Sequence, residues 1–252
     1  MWIGTVLGKI IRCRDGHNEV FLTVNHSESL SVLSIAWIRD RILFGTLRQG
    51  LFELVNGRMQ RPAGFPASWN LGVLFIMEDR RGRLLVSSTD GLFVRTGDEV
   101  IRYSREDILL SNWIYRILED SVGDIWVSGT RGVCRFTGGD LRMESRKVPL
   151  PDRQMLDMRQ DSQDSQRFWF CGPAGLYTIK GNDLFSFNRG NGLVSDSLHQ
   201  LFEDEQGYFW LSGMDGILRV SRKELLEFAA GSRPDYTCLQ FDRADGLAPI
   251  SS

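Results

Sequence analysis

The chain has 252 residues, 42% of them hydrophobic, with 30 Lys and Arg against 32 Asp and Glu. That is enough apolar material for a sizeable core, and the near-neutral balance leaves no basic footprint for nucleic acid or an anionic membrane. Disorder is excluded by the aromatic content, and no segment reaches the ~18 apolar residues of a membrane span.

Taken in chain order, the predicted elements repeat. Six short segments align: Trp2-Ile3-Gly4-Thr5, Leu43-Phe44-Gly45-Thr46, Leu85-Val86-Ser87-Ser88, Trp126-Val127-Ser128-Gly129, Trp169-Phe170-Cys171-Gly172 and Trp210-Leu211-Ser212-Gly213. Their first residues lie 41, 42, 41, 43 and 41 positions apart, a period that marks a repeat architecture. A glycine follows each segment (Gly8, Gly50, Gly91, Gly132, Gly175, Gly216), and an apolar run follows the glycine.

Ahead of three anchors stands Glu-Asp-x-x-Gly: Glu78-Asp79 with Gly82, Glu119-Asp120 with Gly123, Glu203-Asp204 with Gly207. Asp opening a turn and Gly closing it fit a type I turn with a left-handed glycine. Apolar stretches precede the Asp, as in Val73–Ile76, Ile114–Leu118 and Leu198–Phe202. A fourth strand is expected at Leu184–Phe187 and at Leu239–Phe241. One unit therefore reads as four short antiparallel strands per ~42 residues, a propeller blade.

The fold class expected is all-β, a β-propeller with six visible repeats. The count leaves open a closed six-bladed ring or a seven-bladed ring with one blade outside the chain. The chain reads as one propeller domain over 1–252, a fragment that begins within blade one. A helix is expected as an insertion at 221–231, with Ser221 and Glu224 as a capping box and Gly231 as the stop.

These residues resemble the two-component-regulator propeller repeat. The resemblance is carried by ILEDSVGDIWVSGTRGVCRF (117–136), LFEDEQGYFWLSGMDGILRV (201–220), the linker GNGLVSDSLHQLFED (190–204) and the ending FDRADGL (241–247). It implies the extracytoplasmic, periplasmic sensing region of a bacterial histidine kinase or diguanylate cyclase receptor. A small-molecule or glycan-derived ligand, self-association in the intact receptor and no cofactor come with it. Departures are Asp40-Arg41 in blade two, the glycine-free Asp161-Ser162-Gln163-Asp164 in blade five, and Leu43 and Leu85 in place of Trp.

The anchors Trp2, Trp126, Trp169 and Trp210 recur with the blade, so they are expected to pack between blades rather than bind ligand. Function is expected where repeats differ, on the face shared by the fourth-to-first and second-to-third connections. The ligand-binding candidates are Trp69, Asn70, Asn112, Trp113, Arg131, His199 and Asp215. Around them stand Arg48, Gln49, Ser68, Asp90, Asp152, Arg153, Gln154 and Asp196. His199 is placed on a channel-lining strand, while His17 and His26 look superficial.

No GxSxG, P-loop or HExxH is present, and no catalytic or metal residue is assigned. The four cysteines form no CxxC pair and are expected as buried free thiols. The competing readings are a protein-interaction scaffold and a metal-dependent lyase of the streptogramin-lyase propeller type.

Overall fold

The computed structural model describes residues 2–5, 9–14, 17–23, 31–65, 70–104, 110–139, 141, 146–151 and 153–246. The fold is an all-β propeller of six successive antiparallel blades. Blade one shows three strands, Trp2–Gly4, Lys9–Arg14 and His17–Thr23; the other five show four. Blade two is Val32–Ile38, Arg41–Thr46, Leu51–Val55 and Arg58–Gln60. Blade three is Val73–Glu78, Leu84–Ser88, Gly91–Thr96 and Glu99–Tyr103. Blade four is Ile114–Glu119, Ile125–Gly129, Gly132–Phe136 and Arg146–Lys147. Blade five is Asp157–Gln160, Arg167–Gly172, Gly175–Lys180 and Asp183–Phe187. Blade six is Leu198–Glu203, Tyr208–Gly213, Gly216–Ser221 and Cys238–Phe241. The backbone divides into two compact units, 1–130 with 134–146, and 131–133 with 147–252.

In blades two to five the second strand is covered on both faces, so it loses the polar-out alternation of a half-exposed strand, which the second strand of blade six retains. Every residue of Leu84–Ser88 and of Ile125–Gly129 is buried. In the first unit Leu85, Val94, Ile117, Val127 and Phe136 share one apolar cluster spanning blades three and four. In the second unit Trp169 meets Phe209 edge-on at 4.7 Å between blades five and six.

The turn aspartates and the tryptophan anchors form one device. Asp120 Oδ1 accepts from the Val122 and Asp124 amides at 3.1 and 2.9 Å, and its Oδ2 accepts from Trp126 Nε1 at 2.8 Å. Asp204 repeats this with Gln206, Tyr208 and Trp210, and Asp161 with Gln163, Asp164 and Trp169. The carboxylate thus holds its own turn and the indole N–H, which would otherwise be buried without a partner. Blade three has no indole. There Arg83 Nε donates to Asp79 Oδ2 at 2.6 Å, taking the acceptor that the tryptophan uses elsewhere. Blade two dispenses with the Asp-x-x-Gly turn. Arg39 and Asp40, both at positive φ (46° and 62°), make a two-residue turn of the I′ kind that hairpin twist favours.

The glutamates beside these aspartates reach to the preceding blade. Glu78 accepts from Arg39 Nε at 2.8 Å, Glu119 from the Arg80 amide at 2.9 Å, and Glu203 from Ser162 Oγ at 2.7 Å. Each link spans 39 to 41 residues, one repeat.

The helix is Arg222–Ala229, capped by Ser221 Oγ accepting from the Glu224 amide at 3.3 Å. The reciprocal half of the expected capping box does not form. The Glu224 carboxylate instead accepts from the Thr237 amide at 2.8 Å and pairs with Arg233, because the returning chain offers a closer donor. Gly231 takes φ +70°, the left-handed conformation that ends a helix. Arg222, at the first helical position, is buried and bonds both oxygens of Asp161 at 2.9 and 3.0 Å, with Glu203 at 3.4 Å. Among the described residues no helix is long and apolar enough to cross a membrane. None of the four cysteines is in a disulfide; Cys134 and Cys171 are buried as expected, but Cys13 and Cys238 are half-buried, Cys238 because it lies on the last, outermost strand of blade six.

Candidate functional site

Within each unit the blade-to-blade linkers and the second-to-third loops lie together, joined by hydrogen bonds. In the first unit the Gly50 amide donates to Leu71 O (3.0 Å), the Thr89 amide to Gly72 O (2.9 Å), and the Gly91 amide to Asn112 O (2.6 Å). In the second unit the Met214 amide donates to Ser197 O, and Ser195 Oγ donates to Asp215 Oδ2 at 2.6 Å. The loops are also held from the side. Gln49 O accepts from Arg61 Nη1, Asp90 O from Arg102 Nε and Asp215 O from Gln240 Nε2, each near 2.8 Å. Arg102 further pairs with the Asp90 carboxylate at 2.7 Å.

These bonds separate the candidates into pinned and presented side chains. Asp215 spends its carboxylate on Ser195 of the blade linker, and Asp90 spends its own on Arg102 of the fourth strand. Asn70 is exposed, Trp113 is 52% exposed, and Arg131 and His199 are exposed on their own elements. Asn112 is half-buried, its carbonyl committed to Gly91. Trp69, Ser68, Asp152 and His26 lie outside the described residues. His17 is exposed on the third strand of blade one. Trp126 and Trp169 are buried at 3% and 0% exposure, while Trp2 and Trp210 are half-buried.

His199 owes its presentation to a β-bulge. In blades two, three, four and six the first strand skips one residue in its pairing with the second, at Leu33, Leu74, Tyr115 and His199. A bulge adds an unpaired residue and re-aims its side chain. Three of these residues stand eleven places ahead of the anchors Leu85, Trp126 and Trp210, a spacing visible in the sequence but not used in reading it.

In the second unit the loop face also gathers Tyr177, Arg153 and Asp196. The Tyr177 hydroxyl donates to Ala174 O at 3.2 Å. Burial pushes its pKa up, with Arg153 acting against the rise and Asp196 adding to it. Asp196 Oδ1 also accepts from the Arg189 amide at 2.6 Å. Tyr236, buried against the same linker, is pushed further up, chiefly by burial. Among the described residues no three His, Cys, Asp or Glu side chains are grouped to hold a metal ion.

Residues 108–131 match the family profile of the two component regulator propeller. No curated protein matches the chain by sequence. The fold is similar to the extracellular domain of BT3049 from B. thetaiotaomicron, assigned as a hybrid two component system (TM-score 0.78, 21% identity, 98% of this chain and 33% of that one). It is also similar to PorZ of Porphyromonas gingivalis, an essential surface component of the type-IX secretion system (TM-score 0.67, 15% identity, 86% of this chain and 36% of that one). A more distant similarity is to the WD40 propeller of Doa1 (TM-score 0.63, 9% identity, 95% and 78%). The chain spans about a third of the length of BT3049's domain and of PorZ. The segment 108–131 in and just before blade four thus carries one match to the two component regulator propeller profile, and the similarities to solved structures establish the propeller fold of the chain.

Proposed function

We propose that this propeller is the ligand-sensing, extracytoplasmic module of a bacterial signal-transduction receptor and carries out no catalysis itself. The observation that supports it most is the division of labour on the loops of each unit. The loops are pinned by backbone and side-chain hydrogen bonds, while the residues that differ between blades (Asn70, Trp113, Arg131, His199) stand exposed. Pre-organised polar and aromatic groups on a rigid scaffold suit recognition of a ligand.

A protein-interaction scaffold is the second reading. It is favoured by Met214 and Trp113, large apolar side chains 71% and 52% exposed on loop and linker, and by PorZ being a surface component of a secretion system.

The test is a thermal-shift screen of the whole chain against oligosaccharides, amino acids and nucleotides. A ligand that binds the folded state raises Tm with concentration. Sensing requires that one class does so, and that Trp113→Ala or His199→Ala cancels the rise without changing the Tm of the unliganded protein. If every class leaves Tm unmoved, the scaffold reading replaces the sensor.

A further inference from the structure

Arg153 and Asp196, of opposite charge, stand on the two linkers that flank the loop between the second and third strands of blade five. A series of close contacts places them. Gln154, next to Arg153, lies against Gly172 at one end of that loop, where an added Cβ would sit 2.2 Å from Gln154 O. At the other end a Cβ on Gly175 would lie 3.4 Å from Asn188 Cβ. Asn188 caps the short turn Arg189–Asn191, and the first amide of that turn donates to Asp196 Oδ1 at 2.6 Å. The Tyr177 hydroxyl donates to Ala174 O in the same loop, and both charges act on that phenol, Arg153 lowering its pKa and Asp196 raising it.

The two charges do not neutralise each other. Among the described residues no hydrogen bond or ion pair engages the Arg153 guanidinium, which is exposed, and Asp196 gives one carboxylate oxygen to the Arg189 amide and leaves the other unbonded. Asp215 and Asp90 differ in this respect, since Ser195 and Arg102 take their carboxylates. Apolar surface adjoins Asp196. Val194, two residues ahead of it, is 37% exposed, and Met214, whose amide donates to Ser197 O one residue after it, is 71% exposed.

From this separated pair we infer that the linkers preceding blades five and six bind a free α-amino acid with an apolar side chain, a ligand class that rests on the sensor reading above. The ligand carboxylate would meet the Arg153 guanidinium, whose planar donors match it in geometry. The ammonium would meet the open oxygen of Asp196, and the side chain would rest on Val194 and Met214. A zwitterion satisfies both charges at once. A neutral sugar leaves both to water, and a nucleotide brings only negative charge towards Asp196.

The probe is L-leucine, titrated into the whole chain by calorimetry, beside N-acetyl-L-leucine, which lacks the ammonium, and L-leucinamide, which lacks the carboxylate. Saturable binding of leucine is expected, with each derivative at least about tenfold weaker, the loss that one hydrogen bond to a charged group implies. Arg153→Gln should weaken leucine by a similar factor and leave leucinamide as it was. Asp196→Asn, which keeps an oxygen for the Arg189 amide, should weaken leucine likewise and leave N-acetyl-leucine as it was. Both variants should unfold near the parent Tm. Absence of saturable leucine binding to the parent protein overturns the site, as does leucine binding that both substitutions leave unchanged. An oligosaccharide or nucleotide that raises Tm while leucine does not bind overturns the amino-acid site and leaves the sensor standing; a Tm unmoved by every class removes the sensor itself.

Discussion

Trp169 Nε1 donates to Asp161 Oδ2 at 2.7 Å, with the tryptophan fully buried and the aspartate at 5% exposure. The pair ties the anchor to the turn even in blade five, whose turn lacks the glycine of its neighbours. Trp169→Phe keeps the ring against Phe209 but strips the donor. Asp161 Oδ2 keeps its bond from Arg222 but loses that of the indole, and a hydrogen bond to a charged group contributes about 1.5–3 kcal/mol. Urea unfolding should show a loss in that range, whereas an unchanged midpoint would mean the indole contributes through area alone.

Arg222 should be the more costly residue to remove. Its side chain is 8% exposed, and it binds Asp161 and lies 3.4 Å from Glu203, whose side chains are 0% and 4% exposed. Arg222→Met leaves two buried carboxylates without that countercharge. Breaking a buried ion pair from one side costs about 3–5 kcal/mol. The expected readout is a fall of that size in unfolding free energy, with Lys223→Met, 82% exposed one residue on, nearly neutral as the control.

Asp204 gives the fold a pH dependence whose sign is fixed. The bond from Trp210 Nε1, with help from the Tyr208 and Gln206 amides, holds its carboxyl below the usual carboxylate range, against an opposing push from burial. A carboxyl lowered by folding contributes stability that is present above its unfolded pKa of about 3.9 and is lost as pH falls through the lower folded value. In Trp210→Phe the carboxyl should titrate higher by NMR. The stability gap between parent and variant should narrow on going from neutral pH to about pH 2. A gap that stays constant across that window would remove Asp204 from the account.

Two glycines separate backbone crowding from backbone strain. Gly175 has φ +113°, and a Cβ there would lie 2.2 Å from Phe187 O, across the blade's third and fourth strands. Gly181 has φ +60° with nothing within 4 Å of the same atom. Gly181→Ala should cost about 1 kcal/mol for the left-handed conformation alone. Gly175→Ala must also displace a paired strand and should lose clearly more, on the order of 3 kcal/mol. Equal Tm losses for the two would show that the fourth strand yields freely.

The repeat was legible because its parts are local. An aspartate six places ahead of a tryptophan, a glycine six places after it and an apolar run on either side are short-range patterns, and they fixed the blades, the turns and the helix cap at Ser221. Blade two kept four strands without its Asp-x-x-Gly turn because another local solution, Arg39-Asp40 at positive φ, fits the same hairpin. Tertiary structure decided what joins residues far apart in the chain. Glu78, Glu119 and Glu203 serve the preceding blade, one repeat away, and nothing in their immediate neighbours says so. The takeover of Asp79 by Arg83 depended on the space that Leu85 leaves, which is a property of packing rather than of pattern. Likewise the candidate residues looked equivalent as polar loop positions. Only the fold showed Asp90 spent on Arg102 and Asp215 on Ser195, and Trp113 and His199 left facing solvent, because exposure is set by which neighbours a folded chain brings to each side chain.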